Sequence, residues 1–320
     1  MQEIEKYGIC QVRLPLPFRL NHVNCYAIKG RAGWWLVDSG LNDEPTRRTW
    51  LDFMREYQIR GRDIKGIYLT HYHPDHYGAA GWLQQLSGAP VYISATDAGA
   101  ADLYWRHGEE TFKAVYSLFT ENGMPAELTE AVVESALRLL SRVRPHPEEI
   151  STLAAGEVQL GDYIYQVLAT PGHSDGHLCF YQQDNHILFS GDHLLPQITS
   201  NISLWPFADP NPLKNFLQSL AENHRLPDCL VLPAHGNSFT GVQQRVSQLE
   251  AHHRERLELM RRVASPGATA YDVCRQVFKE ELSLHEIRFA MAETLAHLVF
   301  LVERGELKKR YGGGVNIYFG

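Results

Sequence analysis

Apolar and polar positions change period several times along the chain. Residues 9–16, 24–28 and 34–37 are short runs rich in β-branched and aromatic residues, which predicts three strands. Over 44–58 the apolar positions Trp50, Phe53 and Met54 share one face of a helix. Strand spacing returns at 64–70 and is followed by a predicted helix over 76–87 and a short strand over 91–94. Strands alternating with helices predict an α/β architecture.

From about 96 to 145 the spacing is helical, through Leu103, Phe112, Val115, Leu118, Phe119, Val132, Val133, Leu137 and Leu140, which reads as an insertion over one edge of the core. Strands are predicted again over 163–168, 177–181, 186–189 and 229–232, with a helix over 211–223. A long charged helix over 242–263 precedes Ser265-Pro266-Gly267, after which 269–278 and 283–304 are helical. Leu295, Leu298, Val299 and Val302 form an apolar stripe, more often core than a binding face. Two short runs around Gly312-Gly313-Gly314 predict a terminal hairpin.

Composition narrows the class. The 320 residues suffice for one large domain or two, and 44% hydrophobic with 21% charged residues is ordinary for a soluble globular chain. A net charge of −7 counts against a general nucleic-acid binder. Five scattered cysteines without a C-x-x-C pair read as reduced thiols, and hence as a cytoplasmic protein. Residues 1–6 lack the apolar core of a signal peptide, and no apolar run has membrane-spanning length.

The chemistry gathers at strand ends. His71-Tyr72-His73-Pro74-Asp75-His76 packs four potential metal ligands into six positions directly after the 64–70 strand. Pro74 and the restriction it places on His73 predict a loop rather than a helical zinc motif. Four further predicted strands lead into Asp38-Ser39-Gly40, Thr170-Pro171-Gly172-His173, Ser190-Gly191-Asp192 and Pro233-Ala234-His235-Gly236. Chance can place one histidine on a solvated loop. It does not account for the same type of residue recurring at strand ends, where active sites of α/β folds collect.

The series Asp38-Ser39-Gly40, His71-x-His73-x-Asp75-His76, His173, Asp192 and His235 resembles the metallo-β-lactamase superfamily, motif for motif, over roughly residues 8–240. The resemblance implies an αββα sandwich of two mixed sheets with helices outside, in a catalytic domain spanning 1–245. It implies that His71, His73 and His173 hold one metal ion, that Asp75, His76 and His235 hold a second, and that Asp192 bridges them. Such a pair makes hydroxide available from a shared water near neutral pH, for attack on an acyl carbon or phosphorus. Asp75 is expected to join in proton transfer as well as ligation, and Asp38 to orient a ligand imidazole through its N–H rather than act only as a turn residue. The expected cofactor is a pair of zinc ions, with iron or manganese acceptable to the same donors.

Many β-lactamases of the superfamily carry a cysteine at one metal site. The set here is the form of the glyoxalase-II, lactonase, thioesterase and nuclease branches, which sets antibiotic hydrolysis aside. Helices followed by a hairpin in 246–320 resemble the winged helix appended to one branch, which includes a mitochondrial lactamase-like endoribonuclease and polyketide-associated thioesterases. Residues 251–320 hold eleven Lys and Arg against nine Asp and Glu, too even a balance for a duplex binder, so packing over the active site or a homodimer contact is favoured. The expected function is a dinuclear hydrolase of a small ester, thioester or lactone. The alternative is a metal-dependent endoribonuclease or other phosphodiesterase guided by Lys308, Lys309 and Arg310. His177 and His193, close to ligands, are equally supporting or structural residues, and His22 is placed in a loop that could line the pocket. Cys179, inside a strand, is expected to be a small buried hydrophobe.

Overall fold

The computed structural model describes residues 2–278 and 281–320. A single helical turn, α1 (Gln2–Glu5), precedes an antiparallel meander of β1 (Ile9–Pro15), β2 (His22–Gly30) and β3 (Gly33–Val37). α2 (Glu44–Glu56) starts where the Asp43 carboxylate accepts the Thr46 N–H, with Pro45 in the first turn. β4 (Ile64–Tyr68) then joins β3 in parallel. It is followed by the one-turn α3 (Pro74–Tyr77) and by α4 (Ala80–Ser87), which ends on Gly88 in the left-handed conformation. β5 (Val91–Ile93) comes next, then the helical insertion of α5 (Ala95–Ala101), α6 (Gly108–Thr120) and α7 (Ala126–Leu137), and then β6 (Ile150–Thr152). These strands form one mixed sheet in the order β1-β2-β3-β4-β5-β6.

β7 (Gly156–Leu160), β8 (Tyr163–Ala169), β9 (Leu178–Gln182) and β10 (Ile187–Gly191) pair antiparallel in sequence. α8 (Pro212–Asn223) crosses over to β11 (Leu230–Pro233), which pairs parallel with β10. The second sheet is therefore also mixed, in the order β11-β10-β9-β8-β7. α9 (Val242–Ala264) runs unbroken through position 245 and leads to α10 (Ala270–Val277), α11 (Leu284–Glu303) and the hairpin of β12 (Lys308–Gly312) and β13 (Val315–Phe319).

The two sheets bury a common core. Tyr26, Ile28, Val37 and Tyr68 from the first meet Val167, Phe180, Ile187 and Phe189 from the second. The Tyr26 and Phe189 rings lie 5.0 Å apart. Every residue of β9 and β10 is buried, as expected of strands covered on both faces. Helices cover the outer faces: α2 and α4 on the first sheet, α8 and α9 on the second. This is the expected αββα arrangement.

Three local expectations need correction. Pro74 does not prevent a helix; it occupies the first helical position, where its missing N–H costs nothing, so Asp75 and His76 ride on α3. The single helix expected over 76–87 is two, divided at Gly78-Ala79. β6 and β7 are additions to the predicted strands, because β6 has only three residues and both are largely exposed, leaving little apolar alternation to detect. No helix among the described residues is long and apolar enough to cross a membrane.

The stripe on α11 is core. Leu295 and Leu298 are fully buried in the same cluster as Phe119, Met260 and Trp205, and α11 packs on α7, α8, α9 and α10. Leu298→Ala is expected to lower unfolding free energy by about 2–5 kcal/mol, the range for a leucine cavity that cannot collapse, measured by urea denaturation.

Candidate metal centre

All seven acidic and imidazole side chains proposed as ligands converge at one edge of the sandwich, where β4, β8, β10 and β11 end. His71, His76, His173, Asp192 and His235 are buried, and His73 and Asp75 are partly so. They form two groups. His71 Nε2 and His173 Nε2 each lie 2.9 Å from His73 Nδ1 and 3.2 Å from one another. Beside this trio, Asp75 Oδ2 lies 3.8 Å from His76 Nε2 and 3.5 Å from His235 Nε2. Asp192 stands between: its Oδ2 is 3.2 Å from His173 Nε2, and its Oδ1 is 3.3 Å from His235 Nε2. One carboxylate thus turns an oxygen to each group.

The polar atoms at the centre lack protein partners of their own. His76 Nε2 and Asp192 Oδ1 are buried with no hydrogen bond among the described residues, a cost that a bound cation would remove. Burial and the neighbouring imidazoles push His71 well below its ordinary value, so this ring is neutral with its lone pair free. Burial likewise lowers His73, reinforced by His173. The other half is acidic. Burial alone would lower His76, but Asp38, Asp75 and Asp192 override it and raise the imidazole to about 9. Burial alone would raise Asp75, but His76 and His235 hold it down to about 2. A trio of imidazoles beside a carboxylate-rich pair of imidazoles, joined by a shared carboxylate, fits two divalent cations.

Outward hydrogen bonds aim the rings. Asp38, at φ 61°, accepts from the Thr70 N–H at 2.8 Å and from His76 Nδ1 at 2.8 Å. The Thr70 hydroxyl donates to Asp38 and accepts from His71 Nδ1 at 3.0 Å. His173 Nδ1 donates to the Asn201 carbonyl at 2.8 Å, and His235 Nδ1 donates to the His22 carbonyl at 2.8 Å. His22 is the first residue of β2 rather than a loop residue, and its backbone oxygen faces the ligand. His177 Nε2 accepts the Asp192 N–H at 3.2 Å, while its Nδ1 bonds the Thr170 hydroxyl at 2.8 Å. Gly191 permits this approach: it sits at φ +51°, and a Cβ there would lie 2.7 Å from His177 Nε2. His193 is buried without a polar partner among the described residues, and burial lowers it to about 3.

Two supporting residues have no role in the sequence reading. Asp97, buried on α5, accepts from Tyr72 N (3.2 Å), Ser174 Oγ (2.6 Å) and Gly176 N (2.8 Å), tying the loop after β4 to the loop after β8. Ser94-Ala95-Thr96-Asp97 has the form of a helix-capping sequence, which signals a helix start but not this second task. Glu293 on α11 accepts from Asn201 Nδ2 at 2.9 Å, so the residue whose carbonyl holds His173 is itself held from the C-terminal segment. No local pattern could reveal a pairing across so many residues.

Above the centre opens a cavity of about 1050 Å³. His73, Asp75, His173, Asp192 and His235 line its floor, with Phe18 and Leu20 from the β1–β2 loop and Leu284 and Phe289 from α11 among its walls. The Phe18 and His285 rings stack 4.4 Å apart where the loop meets α11.

Asp97→Ala is expected to weaken metal binding by about 10–100-fold in a chelator competition, the range for residues that hold ligands in place. For Glu293, burial raises the carboxyl from 4.5 to about 7. Between those values the unfolded chain has released a proton that the native state keeps, so native stability falls as pH rises. In metal-free protein, Glu293→Gln should remove that loss. Its advantage over the wild type in urea should grow from about pH 4.5 to pH 7, towards a ceiling on the order of 3 kcal/mol.

Comparison with known proteins agrees with this geometry. The profile of the metallo-beta-lactamase superfamily matches residues 19–235, and that of a metallo-beta-lactamase-like C-terminal domain matches residues 257–319. A Bacillus subtilis (strain 168) protein named probable metallo-hydrolase YqjP is 28% identical over 97% of both chains. The hydroxyacylglutathione hydrolase of Marinomonas sp. (strain MWYL1) is 30% identical over 56% of this chain and 49% of its own. Among solved structures, the metallo-beta-lactamase family protein TTHA1429 from Thermus thermophilus superimposes with a TM-score of 0.88 at 33% identity, covering 98% of each chain. Fold, site and relatives together place the chain in the metallo-beta-lactamase superfamily, as a metal-dependent hydrolase.

Proposed function

We propose that this hydrolase uses two metal ions, zinc by the chemistry of its imidazole and carboxylate donors, to cleave a small ester, thioester or lactone. The observation that carries the two-metal reading is Asp192, with one oxygen turned to each ligand group. His71, His73 and His173 would hold one ion, Asp75, His76 and His235 the other. Bound there, the ions would polarise a scissile carbonyl and lower the pKa of water towards 7. Asp75 lines the cavity floor and stays ionised beside His76 and His235, which suits it to accept or pass on a proton at the reacting centre. Asp38, Thr70, Asn201 and the His22 carbonyl keep the imidazoles aimed inward.

The cavity supports an acyl substrate of modest size, since Phe18, Leu20, Leu284 and Phe289 contribute apolar wall. The Marinomonas relative, named a hydroxyacylglutathione hydrolase, supports the same chemical class. For the endoribonuclease alternative, Lys308, Lys309 and Arg310 would have to guide a strand. They lie on exposed β12, and none of them lines the cavity. We read α10, α11 and the β12–β13 hairpin as a winged-helix-like unit that walls the cavity rather than gripping a duplex.

Elemental analysis of protein purified without chelator should give close to two transition-metal ions per chain. Asp192→Ala should lose at least one of them and reduce thioester turnover by more than about 100-fold, beyond the usual cost of losing a mere supporter. Full occupancy with near wild-type turnover in that variant would refute the bridge.

A further inference from the structure

Arg288 on α11 is the odd charge in this cavity. It is only 7% exposed, yet it makes no hydrogen bond or ion pair among the described residues. Its guanidinium carbon lies 4.6 Å from the Phe289 ring centre and 5.5 Å from that of Trp205. The groups that act on its charge are burial and the phenols of Tyr72 and Tyr104; no carboxylate is among them. Burial lowers it to about 10, so it remains a cation at neutral pH. It lines the same cavity as His73, Asp75 and His173.

The other charges around that cavity are spoken for. Arg19 and Glu286 pair at 3.5 Å, Glu293 accepts from Asn201, and burial lowers His285 to about 4, leaving it neutral. The side chain is nearly buried but its fork of five N–H donors opens on the cavity with no protein acceptor among the described residues, so an acceptor has to come from what fills the cavity. Aromatic faces offset part of the cost of burying the charge, but they leave the N–H edges unpaired.

The geometry points to Arg288 as the anchor for an anionic group on the substrate, a carboxylate or phosphate that reaches it while the scissile carbonyl lies at the metal centre. This rests on the acyl-hydrolase reading above and narrows it. The anion can belong to the acyl side or to the thiol side, and the same fork suits either.

Three thioesters separate the cases, assayed with the zinc-loaded full chain. S-butyryl-N-acetylcysteamine is uncharged, S-succinyl-N-acetylcysteamine carries a carboxylate on the acyl side, and S-butyryl-phosphopantetheine carries phosphate on the thiol side. At least one anionic compound should exceed the neutral one in kcat/KM by about tenfold or more, the worth of a hydrogen bond to a charged group. Arg288→Met should bring that ratio close to one, mainly through KM, and Arg288→Lys should retain part of it. Should Arg288→Met fail to fold by circular dichroism, the ratios for Arg288→Lys and Arg288→Gln decide instead. A ratio near one for both anionic compounds in the wild type overturns the assignment, as does a ratio that the substitutions leave unchanged. In those cases the acyl-hydrolase reading survives; absence of turnover for all three compounds sinks both.

Discussion

An imidazole has two nitrogens, and a ring that aims one of them at a metal centre must be held by the other. That constraint organises this fold around its site. His71 is held by Thr70, His76 by Asp38, His173 by the Asn201 carbonyl and His235 by the His22 carbonyl. These partners come from the end of β3, the end of β4, the segment after β10 and the start of β2, so both sheets must be correctly placed before the rings point inward. The unusual backbone of Asp38 follows from the same demand, since its carboxylate serves Thr70 and His76 at once.

Much of this is legible in the sequence because the relevant signals are local. The strand runs, the insertion helices and the motif around His71 each depend on spacing within a few residues. The ligand-bearing loops can be placed because each follows a strand with a clear pattern. The weak points share a physical cause too. Pro74 misleads because its effect depends on whether it stands at the first helical position or inside the helix, and only the surrounding chain decides which. His22 escapes the sequence because it acts through its backbone oxygen on His235, while its ring Nε2 accepts the Gly236 N–H, a pairing across the two sheets that no local pattern records. Asp97 and Glu293 act across folded neighbours, and nothing in their immediate sequence records those partners.

The C-terminal segment illustrates the same limit at larger scale. Its composition excludes a dense basic face and leaves open what its apolar stripe touches. In the fold, the middle of α11 is buried all round, against α7, α8, α9 and α10, and residues near its start complete the cavity wall. The proposed substrate anchor Arg288 and the Glu293 carboxylate that holds Asn201 therefore sit on one helix, which contributes none of the proposed ligands.

The reach of the Asn201–Glu293 contact also bears on biosynthesis. The first ligand histidine leaves the ribosome more than two hundred residues ahead of Glu293, and the last ligand, His235, is itself made before α11 exists. A nascent chain thus exposes part of this set of imidazoles and carboxylates well before the scaffold that orders them is finished. Since ligands of an unformed site bind weakly and with little discrimination, on the proposed two-metal reading selection of an ion is a late event, at the docking of the final helix.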